Sequence, residues 1–219
     1  MTTLPLSSIQ IALPRTTGDP GRNSLFEKEW TTGFYKSPVN GSVEIQGYGI
    51  DGDGQADLSV HGGPDKAICC YPSIHFAFWK SALGLEMNPG AFGENFTVDQ
   101  VTEEDVCIGD RFEANGVVFQ VSQPRQPCWK LARRWGVKNL AALVQANGRT
   151  GWYFRVVTAG AIAAPATLTL RQRPNPEWTI TRANAVMHHQ KMDLDAAREL
   201  IALEGLSESW RDALRKRVA

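Results

Sequence analysis

A chain of 219 residues with 42% hydrophobic content is long enough to bury one sizeable core, or one core with a small appendage. Lysine plus arginine and aspartate plus glutamate balance at 23 each, which excludes the diffuse positive field that draws nucleic acid or anionic lipid. Any anion site must therefore be local. The opening stretch MTTLPLSSIQIALPR has no basic segment followed by a long apolar run, and no apolar run approaches the roughly 20 residues that span a bilayer, so a cytoplasmic protein is expected. The four cysteines, at 69, 70, 107 and 128, form no CxxC pair, which fits a reducing compartment.

From Gly33 to Leu170, short β-rich runs alternate with Gly, Asn, Asp and Pro punctuation: SVEIQGYGI, KAICCY, ENFTV, RFEANGVVFQVSQ and ATLTLRQR. That rhythm predicts a mainly β fold, a closed or nearly closed barrel. In KAICCY the adjacent Cys69 and Cys70 point to opposite faces of a buried strand, and both read as core. In EANGVVFQV an Asn-Gly pair between two strand-like runs predicts a tight hairpin, because both residues tolerate positive φ. Helices are predicted within YPSIHFAFWKSALG and CWKLARRWGVKNLAALVQANG, where apolar residues recur every three or four positions and a glycine follows. They would cover the barrel ends.

RQRPNPEW, with two prolines around an asparagine, ends the β pattern and places a boundary near residue 175. Residues 1–174 are then the barrel and 175–219 a helical tail of three amphipathic segments, TITRANAVMHH, DLDAARELIALE and SESWRDALRKRV. In the last, Trp210, Leu214 and Val218 share one face. So short a tail buries little by itself, so it is expected to pack on the barrel or across a homodimer interface. His188 and His189 have no carboxylate or cysteine companions and read as solvated helix-end residues rather than a metal pair.

Three strings carry groups with chemistry. YGIDGDGQADLSVHGGPDKAI, residues 48 to 68, combines glycines that let backbone approach a ligand with Asp51, Asp53, Asp57, His61 and Lys66. DGDGQAD resembles a calcium loop only in part, since later EF-hand ligands and flanking helices are missing, and HGGPDK lacks P-loop spacing. GAFGENFTV reads as a turn entering a strand, with Asn95 bonding its own backbone. In SQPRQPCWKLARR, Pro124 and Pro127 stiffen the chain around Cys128, and the cations Arg125 and Lys130 beside it favour a thiolate. Such a sulfur could attack sulfur, carry a persulfide or ligate a soft metal.

Taken in order, TGFYKSPVNG, DGDGQADLSVHGGPDKAICCYP, GAFGENFTV, TEEDVCIGDRF and QPRQPCWKL resemble the MOSC-domain family, in particular its bacterial YiiM-like branch. The likeness covers about residues 25 to 170, and the tail resembles the small three-helix domain that follows MOSC in that branch. It implies a β-barrel that binds the molybdenum cofactor, a pterin dithiolene with a terminal phosphate. Cys128 matches the position of the metal's protein thiolate. Lys36 and Ser37 of YKS, Asn95 of GEN and Arg125 of QPR match cofactor-contacting positions, and His61 and Lys66 lie on the HGG loop. The resemblance further implies reduction of N-hydroxylated compounds, such as N-hydroxylated purine bases, from N–OH to N–H. No cysteine follows Cys128 to hold an iron–sulfur cluster, so electrons are expected from a separate reductase. The alternative within the same resemblance is a sulfur carrier with a persulfide on Cys128. Neither nucleic acid nor membrane is expected as a partner.

Overall fold

The computed structural model describes residues 2–59 and 61–219. Its strands are β1 Thr3–Ile11, β2 Arg15–Thr17, β3 Trp30–Thr32, β4 Ser37–Pro38, β5 Ser42–Gln46, β6 Gly49–Ile50, β7 Ile68–Pro72, β8 Phe96–Val98, β9 Arg111–Ala114, β10 Val117–Pro124, β11 Trp152–Thr158, β12 Gly160–Ala163 and β13 Ala166–Gln172. The helices are α1 His75–Leu83, α2 Trp129–Trp135, α3 Leu140–Asn147, α4 Ile180–Asn184, α5 Leu194–Ala202 and α6 Glu208–Val218. A 3₁₀ turn occupies Pro64–Lys66 and a π turn extends α4 over Ala185–His189.

Seven strands pair in the order β13-β9-β10-β11-β7-β8-β1, and β1 closes on β13. The result is the closed barrel that the β rhythm predicts. Only β7 and β8 run parallel, so the chain must cross over between them, and α1 lies on that crossover. Asn115 and Gly116 stand at φ 52° and 81° between β9 and β10, the paired positive angles of a type I′ hairpin. Two barrel strands fall outside the runs singled out in the sequence. β1 precedes Gly33 and buries Leu4, Leu6 and Ile9, and β11 carries WYFRVVT along the whole length of β10. SVEIQGYGI does form strands, but β5 and β6 join β12 in a separate three-stranded sheet.

The stretch after Cys128 is two helices rather than one. Gly136 stops α2 at φ 68°, and α3 begins after Asn139.

Two apolar clusters lie on opposite sides of the wall. The larger fills the barrel with residues such as Phe112, Phe119 and Phe154 and continues without a break into Trp178, Ile180, Leu200, Trp210 and Leu214 of the tail. The tail therefore packs on the barrel, as one of the two expected arrangements has it. Backbone hydrogen bonds stitch the junction: Ile108 N donates to Trp178 O at 2.9 Å, Ile180 N to Val106 O at 2.8 Å and Ser207 N to Ser122 O at 2.9 Å. Val218 packs on this cluster beside Trp210 and Leu214, as the helical period predicts. The smaller cluster, with Phe34, Tyr71, Trp79, Phe92 and Leu131, sits under α1, α2 and α3.

His188 departs from its expected solvated place. It is half-buried, its ring meets Trp210 edge-on at 6.2 Å, and burial together with neighbouring cations lowers its pKa to about 4. His189 is exposed.

Candidate active-site cleft

A cleft enclosing about 630 Å³ of empty space opens beside β7, the loop before β8, and the segment from Arg125 to Lys130. Of the residues singled out in the sequence, Cys128, Lys36, His61, Lys66, Asn95 and Arg125 all line it. Ser37 does not: it is exposed on β4, paired with Ile11 of β1. Strand alternation accounts for this, since neighbours on an extended chain point to opposite sides, and Lys36 takes the inward place.

Cys128 is half-exposed at the residue before α2, in extended conformation (φ −113°, ψ 168°), with its carbonyl accepting from Leu131 N at 3.1 Å. It is the one cysteine of the chain that is not buried. Pro124 and Pro127 upstream keep the chain out of a helix until Trp129, which leaves the sulfur at the cleft wall.

Arg125 is buried and donates from Nη2 to Phe92 O at 2.6 Å, while its guanidinium lies 5.8 Å from the Phe92 ring and 6.0 Å from the Phe34 ring. Its Nη1 is buried with no hydrogen-bond partner. Burial works against the charge, but the Cys69 thiol, the Tyr153 phenol, the Cys128 thiol and the Glu94 carboxylate more than offset it, so Arg125 is held above the ordinary guanidinium range. A buried N–H left open on a guanidinium is costly unless something else meets it. Arg125 lines the cleft.

The loop that meets Arg125 is rigid for local reasons. Fully buried Glu94 accepts from Gly90 N at 2.7 Å, Phe92 N at 2.8 Å and Thr97 Oγ1 at 3.0 Å. Gly93, at φ +69°, lies so close to the Phe34 ring that a Cβ would meet it at 3.0 Å. Phe92 stacks on Tyr71 at 3.8 Å and 12°.

Asn95 does not bond its own backbone, contrary to the turn reading. Its Oδ1 accepts from Cys69 N at 3.1 Å, and its Nδ2 donates to Asp53 Oδ2 at 2.9 Å and to Gln10 O at 3.3 Å. Lys36 Nζ likewise contacts Asp53 Oδ1, and both side chains are buried. Asp53 therefore organises this wall, and Asn95 and Lys36 are largely committed to the protein. His61 is half-buried, and burial, Lys130, Arg125 and Lys66 bring its pKa down to about 4, so it is neutral near pH 7. Burial also lowers the Lys66 pKa.

Cys69 and Tyr153 line the cleft although the sequence alone does not place them in a site. Cys70 joins the barrel core as expected, but its neighbour Cys69 faces the cleft, where burial pushes its pKa up to about 11 although Arg125 opposes this. The alternation of KAICCY contained that outcome, because only one of two adjacent side chains can enter the barrel. Tyr153 belongs to β11, the strand absent from the sequence-level runs.

Among the described residues no cluster of three or more His, Cys, Asp or Glu could hold a metal ion by itself, and no helix is long and apolar enough to cross a membrane.

Comparisons agree with the fold. The MOSC-domain profile matches residues 57–169, and the profile "YiiM-like, 3-alpha helix domain" matches residues 178–219. YflK of Bacillus subtilis is 42% identical over 210 residues, which is 96% of this chain and 92% of that one. A protein named "Reductase" from Gibberella moniliformis is 32% identical over 179 residues, covering 80% of this chain but 32% of that much longer one. The crystal structure of YiiM from Geobacillus stearothermophilus superposes with a TM-score of 0.83 at 35% identity, covering 99% of this chain and 100% of that chain. The chain belongs to the MOSC-domain family, in its YiiM-like branch with the three-helix tail.

Proposed function

We propose that this protein is a molybdenum-cofactor-dependent reductase of N-hydroxylated compounds, N-hydroxylated purine bases among them. MOSC domains are associated with molybdenum-cofactor binding in general, and the fungal relative that shares this domain is named a reductase. The observation that carries the reading is the pairing of a half-exposed thiol, Cys128, with a buried guanidinium, Arg125, that lines the same cavity and has one nitrogen without a hydrogen-bond partner.

The residues fit the group. A soft thiolate suits molybdenum already bound by dithiolene sulfur, so Cys128 would be its protein ligand. Arg125, with the ammonium groups of Lys66 and Lys130 on the same walls, suits a terminal phosphate. Lys36 and Asn95 hold the wall through Asp53. When bound, the cofactor would supply two-electron transfer at a soft metal. The net change is R–NHOH plus two electrons and two protons to R–NH2 plus water. A separate reductase, as a partner, would deliver the electrons, since the four cysteines do not come together as the ligand set of an iron–sulfur cluster. The protein's own work is to orient the substrate and limit water near Cys128.

The rival reading, a sulfur carrier with a persulfide on Cys128, draws on the same exposed sulfur and needs no metal. Purification from cells that make molybdopterin, and from cells that do not, separates the two. The reductase reading expects stoichiometric molybdenum and pterin in the first preparation, with N-hydroxyl reduction driven by a chemical electron donor. Metal-free protein without turnover from both sources would overturn it.

A further inference from the structure

Cys128 stands between two lobes. The second overlaps the first at Cys128, His61, Lys66, Gln126, Lys130 and Tyr153 and extends past it to Asp57, Gln123, Pro127 and Trp129. If the first lobe takes the cofactor, the second is the space left against the same sulfur. We infer that this lobe is the substrate chamber of the reductase proposed above, and that the Trp129 indole is the platform on which it selects flat N-hydroxylated heteroaromatic rings over aliphatic hydroxylamines.

Trp129 follows the thiol directly in sequence, yet 47% of its surface is exposed. A large ring left half in water beside a polar cavity is a candidate contact surface, because covering it with another flat ring removes apolar area from water. The indole is braced from behind. Trp30 tilts against it at 5.4 Å and 51°, and the Arg133 guanidinium, one turn further along α2, lies 4.7 Å from the Trp30 ring. Arg133 is buried, and none of its three guanidinium nitrogens has a hydrogen-bond partner, so its visible contact is that ring. The platform is thus fixed before any ligand arrives, which lowers the ordering cost of stacking.

The rest of the lobe suits a ring with polar edges. Exposed Gln126 offers a donor and an acceptor from one amide. Asp57 is exposed and already oriented by Ser59, whose N and Oγ donate to its Oδ1 at 3.1 and 2.6 Å. Gln123 is buried and fixed by Ser209 Oγ of α6, which donates to its Oε1 at 3.0 Å, so the helical tail braces this wall. An aliphatic hydroxylamine would use none of the flat surface.

Adenine, which stacks but has no N–OH to reduce, tests the chamber without turnover. Calorimetry should show it binding the wild-type holoenzyme, about tenfold more weakly in Trp129→Ala, and within about threefold of wild type in Trp129→Phe. In turnover, the ratio of kcat/KM for an N-hydroxylated aminopurine to that for an N-alkylhydroxylamine should fall about tenfold in Trp129→Ala, chiefly through KM. Equal adenine affinity in wild type and Trp129→Ala, or no adenine binding by the wild-type holoenzyme, overturns the inference. Trp129-dependent adenine binding by a protein with neither molybdenum nor turnover would sustain the chamber and sink the reductase assignment instead.

Discussion

The barrel–tail junction and the cleft both hold buried or half-buried cations, and they treat them differently. At the junction each arginine meets a carboxylate: Arg173 lies 2.7 Å from fully buried Asp110, and Arg155 lies 2.5 Å from Asp65, whose other oxygen accepts from Glu208 N of α6 at 3.0 Å. In the cleft, Lys36 has Asp53, but Arg125 donates to a carbonyl, lies against two rings and makes no ion pair among the described residues. Formal charge balances over the whole chain, so this local imbalance is a matter of placement. Matched pairs hold a fold together, whereas an unmatched buried cation costs stability and is understandable where an anion visits.

That contrast breaks most sharply at Cys128. Cys128→Ser should reduce N-hydroxyl reduction to background while far-UV circular dichroism and the unfolding midpoint stay as in wild type, since a hard oxygen replaces a soft ligand at nearly constant volume. Retained turnover would remove the thiolate from the mechanism. Next comes Arg125→Met, which removes the unmatched charge. Pterin released from the purified variant should fall by about tenfold, and the cofactor-free protein should melt no lower than wild type, because a desolvated charge has gone. A large drop in melting temperature with pterin content intact would make Arg125 a structural residue like those at the junction.

Asp110→Ala is the counterpart at the junction. It strands Arg173 and deprives Cys107 N of its acceptor at 2.9 Å, so chemical denaturation should show a loss of about 1–3 kcal/mol, with activity per folded molecule unchanged. The smallest effect concerns pH. His61 and His188 both have pKa values lowered to about 4 from an ordinary 6.5. The unfolded chain therefore takes up protons first as pH falls below 6.5, and their contribution to stability is lost between about pH 6.5 and 4. His188→Leu removes one of the two groups, so the slope of stability against pH across that window should be shallower than in wild type. An unchanged slope would mean that His188 is as solvated as the bare sequence suggests.

How much of this was legible beforehand differs from residue to residue. The hairpin at Asn115–Gly116 and the apolar face of α6 rest on local rules, and both appear as read. β11 was missed because three aromatic residues in a row, Trp152, Tyr153 and Phe154, hide the alternation that puts Trp152 and Phe154 in the core and Tyr153 on the cleft. Cys69 and Cys70 show the limit plainly. Alternation required that they part, but which one met hydrocarbon and which met the cleft depended on the barrel's inside being on one side of β7. Lys36 and Asn95 were placed correctly on the cleft, yet their hydrogen bonds run to Asp53, a partner 17 and 42 positions away.

The sequence by itself determined the barrel rhythm, the helical tail, the rigid Cys128 segment and the absence of an overall positive field, because these depend on backbone preference, side-chain period and composition. Only the tertiary structure decided that Arg125 is buried at the cleft with one nitrogen unpartnered, that Asp53 bonds both Lys36 and Asn95, and that Trp129 stays half in water. Hydrogen-bond satisfaction and burial depend on distances between segments remote in the chain, and those distances exist only once the barrel has closed.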